Sequence, residues 1–299
     1  MPISHLFLAL LVVLVWGINF LFVSFGLTEI SPLLLCALRF LLASVPAIFF
    51  VKLPNASFRI IALYGLVMFA LQFALLFIGM SLGMPAGIAS ILIQVQVFFS
   101  MFFAIILLGE QPNIGQIIGA LVSFSGIALV AMHFDKDISL AGFIFILAAA
   151  ATWGIGNLIT KKIKGDSNNM MALIVWGSFI ACIPMFLISL AIEGSANFVS
   201  TFTHITWKGF GSLLYIVFAS TWVGYGVWNW LMARYPVGMI APFTLLVPVI
   251  AMLSSVIFLG EPFYMWKLTA GLLVLSGLCI NILGSRLFAV KAPVEAEAA

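Results

Sequence analysis

Leu108-Gly109-Glu110 returns as Leu259-Gly260-Glu261, 151 positions later. The same offset lays Pro85-Ala86-Gly87 on Pro236-Val237-Gly238 and Ser125-Gly126 on Ser276-Gly277. Upstream the offset shortens to about 138, where Trp16-Gly17-Ile18-Asn19 meets Trp153-Gly154-Ile155-Gly156-Asn157 and Pro46 meets Pro184. Extra residues in the stretch 193–206 account for the difference. The chain therefore reads as one unit written twice. In membrane chains that plan suits transport, because two related halves can rock about a shared site.

Hydrophobic residues make up 65% of the chain and charged residues only 7%, against about 25% charged in a soluble domain. The apolar runs fall at residues 5–25, 32–51, 60–81, 85–108, 114–132, 139–160, 170–191, 209–232, 238–259 and 265–287. Each is close to the ~20 residues that span a bilayer as a helix. Prolines and polar residues end them, at Ser31-Pro32, Leu53-Pro54-Asn55, Gln111-Pro112-Asn113 and Glu261-Pro262. The expected fold is all-α, a polytopic membrane protein of ten transmembrane helices in the lipid bilayer. The first run lacks a basic leader and a small-residue cleavage site, and its Trp-Gly-Asn core recurs later, so it reads as a retained helix. Cys36, Cys182 and Cys279 lie far apart inside apolar runs, which suggests small buried packing residues rather than a disulfide or metal framework. No HExxH, GxSxG or P-loop pattern occurs. The expectation is no catalytic residue, no metal, no cofactor and no nucleic-acid partner.

With the N-terminus cytoplasmic, the inside loops and tail hold eight basic residues (Lys52, Arg59, Lys161, Lys162, Lys164, Arg234, Arg286, Lys291) and the outside three (Lys136, Lys208, Lys267). The positive-inside rule thus places both termini in the cytoplasm. Five spans per copy then make the repeat inverted. The expected organisation is a first five-helix unit over 5–132, a second over 139–287, and an acidic, small-residue tail over 288–299 that is expected to be disordered.

Polar groups at membrane depth are costly, which makes them site candidates. Gln72 and Gln94 lie ~18 Å and ~14 Å into spans three and four, near the midplane. Gln96 is two positions from Gln94, so the two cannot face one cavity equally; one is expected to read substrate and the other to bond a neighbouring helix. A carboxamide suits a zwitterion, donating to a carboxylate and accepting from an ammonium, but equally suits interhelical bonding. Asn19 and Asn157 are repeat equivalents near opposite ends of their helices, gate or packing elements at the two mouths of a pathway. Trp16 and Trp153 accompany them as cavity candidates. Tyr225, Trp228 and Asn229 offer an aromatic wall with a polar edge. Thr244 lies between Pro242 and Pro248, prolines that free backbone carbonyls for protein, water or ligand. Arg39, ~10 Å inside span two, either meets a substrate carboxylate or snorkels to helix-end carbonyls. Glu110 and Glu261 end spans four and nine, where each reads as serving the N-terminus of the next helix. No Asp, Glu or His lies deep in a span, so facilitated diffusion or exchange is expected over a proton relay.

Trp-Gly-x-Asn in span one, Leu38-Arg39-Phe40 in span two and the duplicated Gly-Glu resemble the drug/metabolite transporter superfamily, in its ten-helix branch of two EamA-type repeats. Gly83-Met84-Pro85-Ala86-Gly87, Gln94-Val95-Gln96 and Val223-Gly224-Tyr225-Gly226-Val227-Trp228 are similar to bacterial exporters of amino-acid metabolites such as cysteine and O-acetylserine. The resemblance implies a central cavity walled by spans one, three, four, six, eight and nine, a small amino-acid substrate, and a bacterial inner-membrane location. Efflux of larger apolar or cationic compounds is the rival reading, and a membrane-embedded lipid-modifying enzyme a more distant one. Monomer and homodimer stay open.

Overall fold

The computed structural model describes residues 1–134, 138–161, 163, 167–235 and 237–287. The tail 288–299, expected to be disordered, lies outside the described residues, as do Lys136, Lys162, Lys164 and Pro236. Among the described residues, ten helices are long and apolar enough to cross a bilayer. Spans one to five are Ile3–Leu27, Pro32–Phe49, Phe58–Ser81, Ala86–Leu108 and Ile114–Ala131. Spans six to ten are Leu140–Thr160, Asn169–Ile192, Trp207–Met232, Pro242–Leu259 and Met265–Leu283. An even number of crossings returns the chain to its starting side, here termed the terminal face, opposite the far face. The segment read as the longest non-spanning stretch carries a short helix of its own, Ser195–His204, against span seven.

Each element follows from its residues. Spans four and nine both stop at a glycine in the left-handed region, Gly109 at φ 68° and Gly260 at φ 65°, which gives the doubled Leu-Gly-Glu its meaning as a helix C-cap. Span five starts on a capping box, Asn113 accepting from the Gln116 N–H while the Gln116 side chain accepts from the Asn113 N–H, both at 2.9 Å. Cys36 and Cys182 are buried as expected of packing residues, but Cys279 is exposed.

Span two ends in a 3-10 turn at Ala47–Phe49, and four further spans depart from regular α-helix in matched pairs. Spans three and eight carry π-helical turns at Gly65–Leu71 and Tyr215–Tyr225. Spans four and nine carry 3-10 turns at Ile93–Val95 and Ala241–Leu246. At the 151 offset the first member of each pair falls within the second. Such irregular turns inside helices often mark hinges or sites.

The packing is paired in the same way. Span one lies on span nine and span six on span four; span three lies on span six and span eight on span one. Spans five and ten pack on each other, as do two and seven. Within a bilayer such contacts rest on close backbone approach rather than on hydrophobic burial. A Cβ at Gly17 would lie 2.5 Å from Ile250 Cβ, and one at Gly154 2.9 Å from Phe99 Cβ. Phe99 and Ile250 are themselves 151 positions apart. Gly119 and Gly277 likewise seat spans five and ten, a Cβ at Gly119 falling 2.5 Å from the Gly277 carbonyl oxygen.

Candidate functional site

A cavity of about 330 Å³ runs from the middle of span four to the Glu110–Gln111–Pro112 loop at the terminal face. Its polar lining comes from Gln96, Ser100, Gln116, Asn157 and Asn281, with Glu110 and Gln111 at the loop. Asn157 Nδ2 donates to Gln96 Oε1 at 2.7 Å and to Ser100 Oγ at 2.9 Å, and the Ser100 hydroxyl donates to the Gln96 carbonyl at 2.8 Å. Spans four and six are thus sewn together along the cavity wall. Gln96 is the carboxamide that both faces this cavity and bonds a neighbouring helix.

Gln94, one 3-10 turn away, points elsewhere. Its Nε2 donates to the Thr244 carbonyl at 3.4 Å, joining the irregular turns of spans four and nine. Pro248, four residues on from Thr244, has no N–H to close that helical bond. That carbonyl accepts instead from the Val247 N–H of the 3-10 turn, and from Gln94 across the junction of the two copies.

The aromatic candidates form a second group. Trp16 packs its ring 5.3 Å from both Tyr225 and Trp228, and its indole N–H donates to the Ser220 carbonyl at 3.1 Å. Gly224 makes room for it: a Cβ there would clash with Trp16 Nε1. Trp153, the counterpart of Trp16, is half-buried against the core. Asn229 is half-buried with its Nδ2 unbonded. Gln72 is 1% exposed and its Nε2 is unbonded. Asn19 is buried with its Oδ1 unbonded. Arg39 does not snorkel; it is 2% exposed, against Phe73 and Thr221.

At the far face, three carboxylates tie one copy to the other. Glu29 accepts from the Thr206 N–H at 2.8 Å and the Thr206 hydroxyl at 2.7 Å, at the start of span eight. Glu193 accepts from the N–H groups of Leu33 (2.8 Å) and Leu34 (3.1 Å) and the Ser31 hydroxyl (2.6 Å), at the start of span two. Glu261 accepts from the Ala86 N–H at 2.8 Å, at the start of span four. Each occupies a helix N-terminus, where unpaired N–H groups and the dipole favour an anion. Glu261 therefore serves not the next helix in sequence but one from the other copy. The Thr206 hydroxyl and N–H hold the Glu29 carboxyl below its ordinary value, and burial pushes Glu261 above its own.

Sequence reasoning did not single out Ser100, Gln116, Asn281, Thr221 or Glu193. Ser100 stands four residues from Gln96, one helical turn along the same face, and that spacing was the available signal. Asn281 is a polar residue in an apolar run. Glu193 gave no signal, since its partners in span two are 159 or more residues away and the local one, Ser189, is a single helical turn back.

The chain matches the EamA-like transporter family twice, over residues 3–132 and 140–283. A Salmonella typhimurium protein named as a probable amino-acid metabolite efflux pump is 40% identical over 284 residues, covering 94% of this chain and 95% of its own. Its Escherichia coli namesake is 39% identical, covering 93% and 95%. A probable terminal-alkyne amino-acid exporter of Streptantibioticus cattleyicolor is 27% identical over 179 residues, covering 59% and 57%. A solved crystal structure shares the fold, with a TM-score of 0.64 at 14% identity over 97% of this chain and 99% of its own. Ten spans, a doubled unit and two matches to one family agree: the chain is a multi-pass membrane protein of the EamA-like transporter family.

Proposed function

We propose that this protein exports small amino-acid metabolites, of the cysteine and O-acetylserine kind, from the bacterial cytoplasm by alternating access. The cavity carries this reading. It carries amide and hydroxyl side chains on a partly apolar wall, it reaches the terminal face, and the opposite face is tied shut by Glu29, Glu193 and Glu261. Its volume of about 330 Å³ falls at the small end of the roughly 300–1,000 Å³ typical of ligand pockets, which suits a small metabolite over a bulky drug. In this reading the terminal face is cytoplasmic, both termini lie inside, and the protein sits in the inner membrane facing inward. The two five-helix units, 5–132 and 139–287, are inverted relative to each other.

Gln96, Asn157 and Ser100 present amide and hydroxyl groups that can accept from the ammonium of an amino acid and pair with its polar side chain. The matched irregular turns of spans three, four, eight and nine serve as hinges. Rocking about them parts Glu261 from Ala86 and closes the cavity at Glu110. Gln94 and Thr244 mark the pivot, and Trp16, Tyr225 and Trp228 form the wall past which substrate moves. The cycle runs as facilitated diffusion or exchange.

Counterflow with purified protein in liposomes tests this. Labelled cysteine and O-acetylserine, offered against a panel of unlabelled amino acids, should accumulate transiently. Exchange of neither compound, with the protein folded, rejects the reading.

A further inference from the structure

Arg39 is a cation without a counter-ion. Its side chain is 2% exposed and ~10 Å inside span two. The guanidinium makes one hydrogen bond, a long 3.4 Å contact from Nη2 to Thr221 Oγ1, while Nε and Nη1 have no partner. It forms no ion pair among the described residues. Its remaining support is the Phe73 ring, 4.0 Å below Cζ, and the Phe40 ring at 5.6 Å. Tyr225 lies within electrostatic reach.

A charge held this deep is expensive unless paired and hydrogen-bonded. A cation–π contact recovers only part of that. Snorkelling would relieve it, and the side chain does not snorkel. The guanidinium is always charged, so it cannot escape by losing a proton. What is missing is an anion with planar acceptors. The second copy offers no equivalent, since Gly177 stands at the 138 offset, so the charge provides for one anionic group.

We infer that Arg39, with Thr221 and Phe73, is the subsite that takes the carboxylate of the transported metabolite, an assignment that rests on the amino-acid export proposed above. A carboxylate engages a guanidinium edge through two neighbouring nitrogens. Nη2 borders both free nitrogens, so the incoming group replaces the weak Thr221 contact. Thr221 loses nothing by this, because its hydroxyl already donates to the Ile216 carbonyl at 3.0 Å, across the π-helical turn of span eight. Phe73 supplies the face against which the guanidinium stays flat. Ligand arrival thereby couples span two to the irregular turn of span eight.

The test is thermal unfolding of the purified full-length protein in detergent, with four probes: cysteine, O-acetylserine, and the carboxamide of each. The acids should stabilise the wild type, and the carboxamides should bind at least about tenfold more weakly, the loss of a buried charge-pair partner. Arg39→Met should melt at or above the ligand-free wild type, since it removes an unpaired buried charge, and should no longer distinguish acid from amide. Arg39→Lys keeps the charge without the planar fork; it should keep the preference at reduced affinity. If Arg39→Met melts lower without ligand or still discriminates acid from amide, or if Arg39→Lys binds the acids as tightly as the wild type does, the assignment is overturned. It is also overturned if no acid stabilises the wild type. Acids that stabilise through Arg39 without being exchanged in liposomes would reject the transport reading and leave the subsite. Exchange that accepts amides as readily as acids would reject the subsite and leave the transport reading.

Discussion

Asn157 donates to Gln96 at 2.7 Å, while the equivalent pair at the other seam between the copies, Asn19 and Val247, has no such bond available. Asn19 Oδ1 is left buried and unbonded. Ser100, the second partner of Asn157, corresponds to Ala251. The backbone plan is duplicated, but the polar chemistry is placed at one of the two equivalent seams. That asymmetry puts the polar cavity wall on spans four and six and leaves the matching seam between spans one and nine apolar.

Replacing Gln96 with valine, the residue found in the other copy, therefore erases the polar wall without offending the packing plan. Gln96→Val should lower stability by about 1–2 kcal/mol, the worth of a partly buried side-chain hydrogen bond. It should lower substrate affinity in counterflow as well. A variant that transports with unchanged affinity removes Gln96 from the substrate path.

Gln94→Ala separates pivot from binding. It removes the Gln94 contact across the junction and leaves the Thr244 carbonyl its 3-10 bond from the Val247 N–H. Exchange should slow in folded protein while substrate affinity holds, as a pivot outside the cavity requires. If exchange is unchanged and only the melting temperature drops, Gln94 is a packing residue.

Close approach at the doubled glycines sets the helix seams. Gly17→Ala drives a methyl into Ile250 and Gly154→Ala drives one into Phe99. Each should cost about 1–3 kcal/mol by overpacking. In a double-mutant cycle, Ile250→Ala should rescue Gly17→Ala but not Gly154→Ala, because only the first pair is in contact. Equal rescue of both would contradict the paired seams.

The far-face carboxylates should give stability profiles of opposite slope. Burial raises the Glu261 carboxyl above its ordinary value, against the pull of the Ala86 and Gly87 N–H groups and of Lys267. The folded protein then holds that proton more tightly than the unfolded chain. Its contribution is full below the ordinary value of 4.5 and is lost as pH rises through the raised one. The Thr206 hydroxyl, aided by the Thr206 N–H, lowers Glu29, so its contribution is present above 4.5 and is lost as pH falls through the lowered value. Melting curves across this range should show Glu261→Gln removing an acid-side gain and Glu29→Gln removing an acid-side loss. Both variants shifting in the same direction would show that these environments are misassigned.

Exchange should persist when the pH gradient across the liposome is collapsed. The acids of this chain stand in loops or at span ends, and a proton relay needs titratable groups at depth. Uptake that stops with the gradient would require a proton path of another kind.

The ten spans, their limits to within four residues, and the duplication were legible in the sequence. Apolar run length, proline and glycine punctuation and a constant offset are local properties, and the bilayer turns them directly into helices. The same local reading found the polar residues at depth, but not what each one meets. Gln96 rather than Gln94 lines the cavity, because a 3-10 turn at Ile93–Val95 resets which face each residue presents, and helical spacing assumes no such turn. Glu261 caps a helix 175 residues away rather than its neighbour, because the two copies interlock. Arg39 stays buried over Phe73 rather than snorkelling, because spans three and eight close over it. Sequence decides which groups enter the membrane; the packing of one copy against the other decides which of them find partners and which, like Arg39, are left with bonds to make.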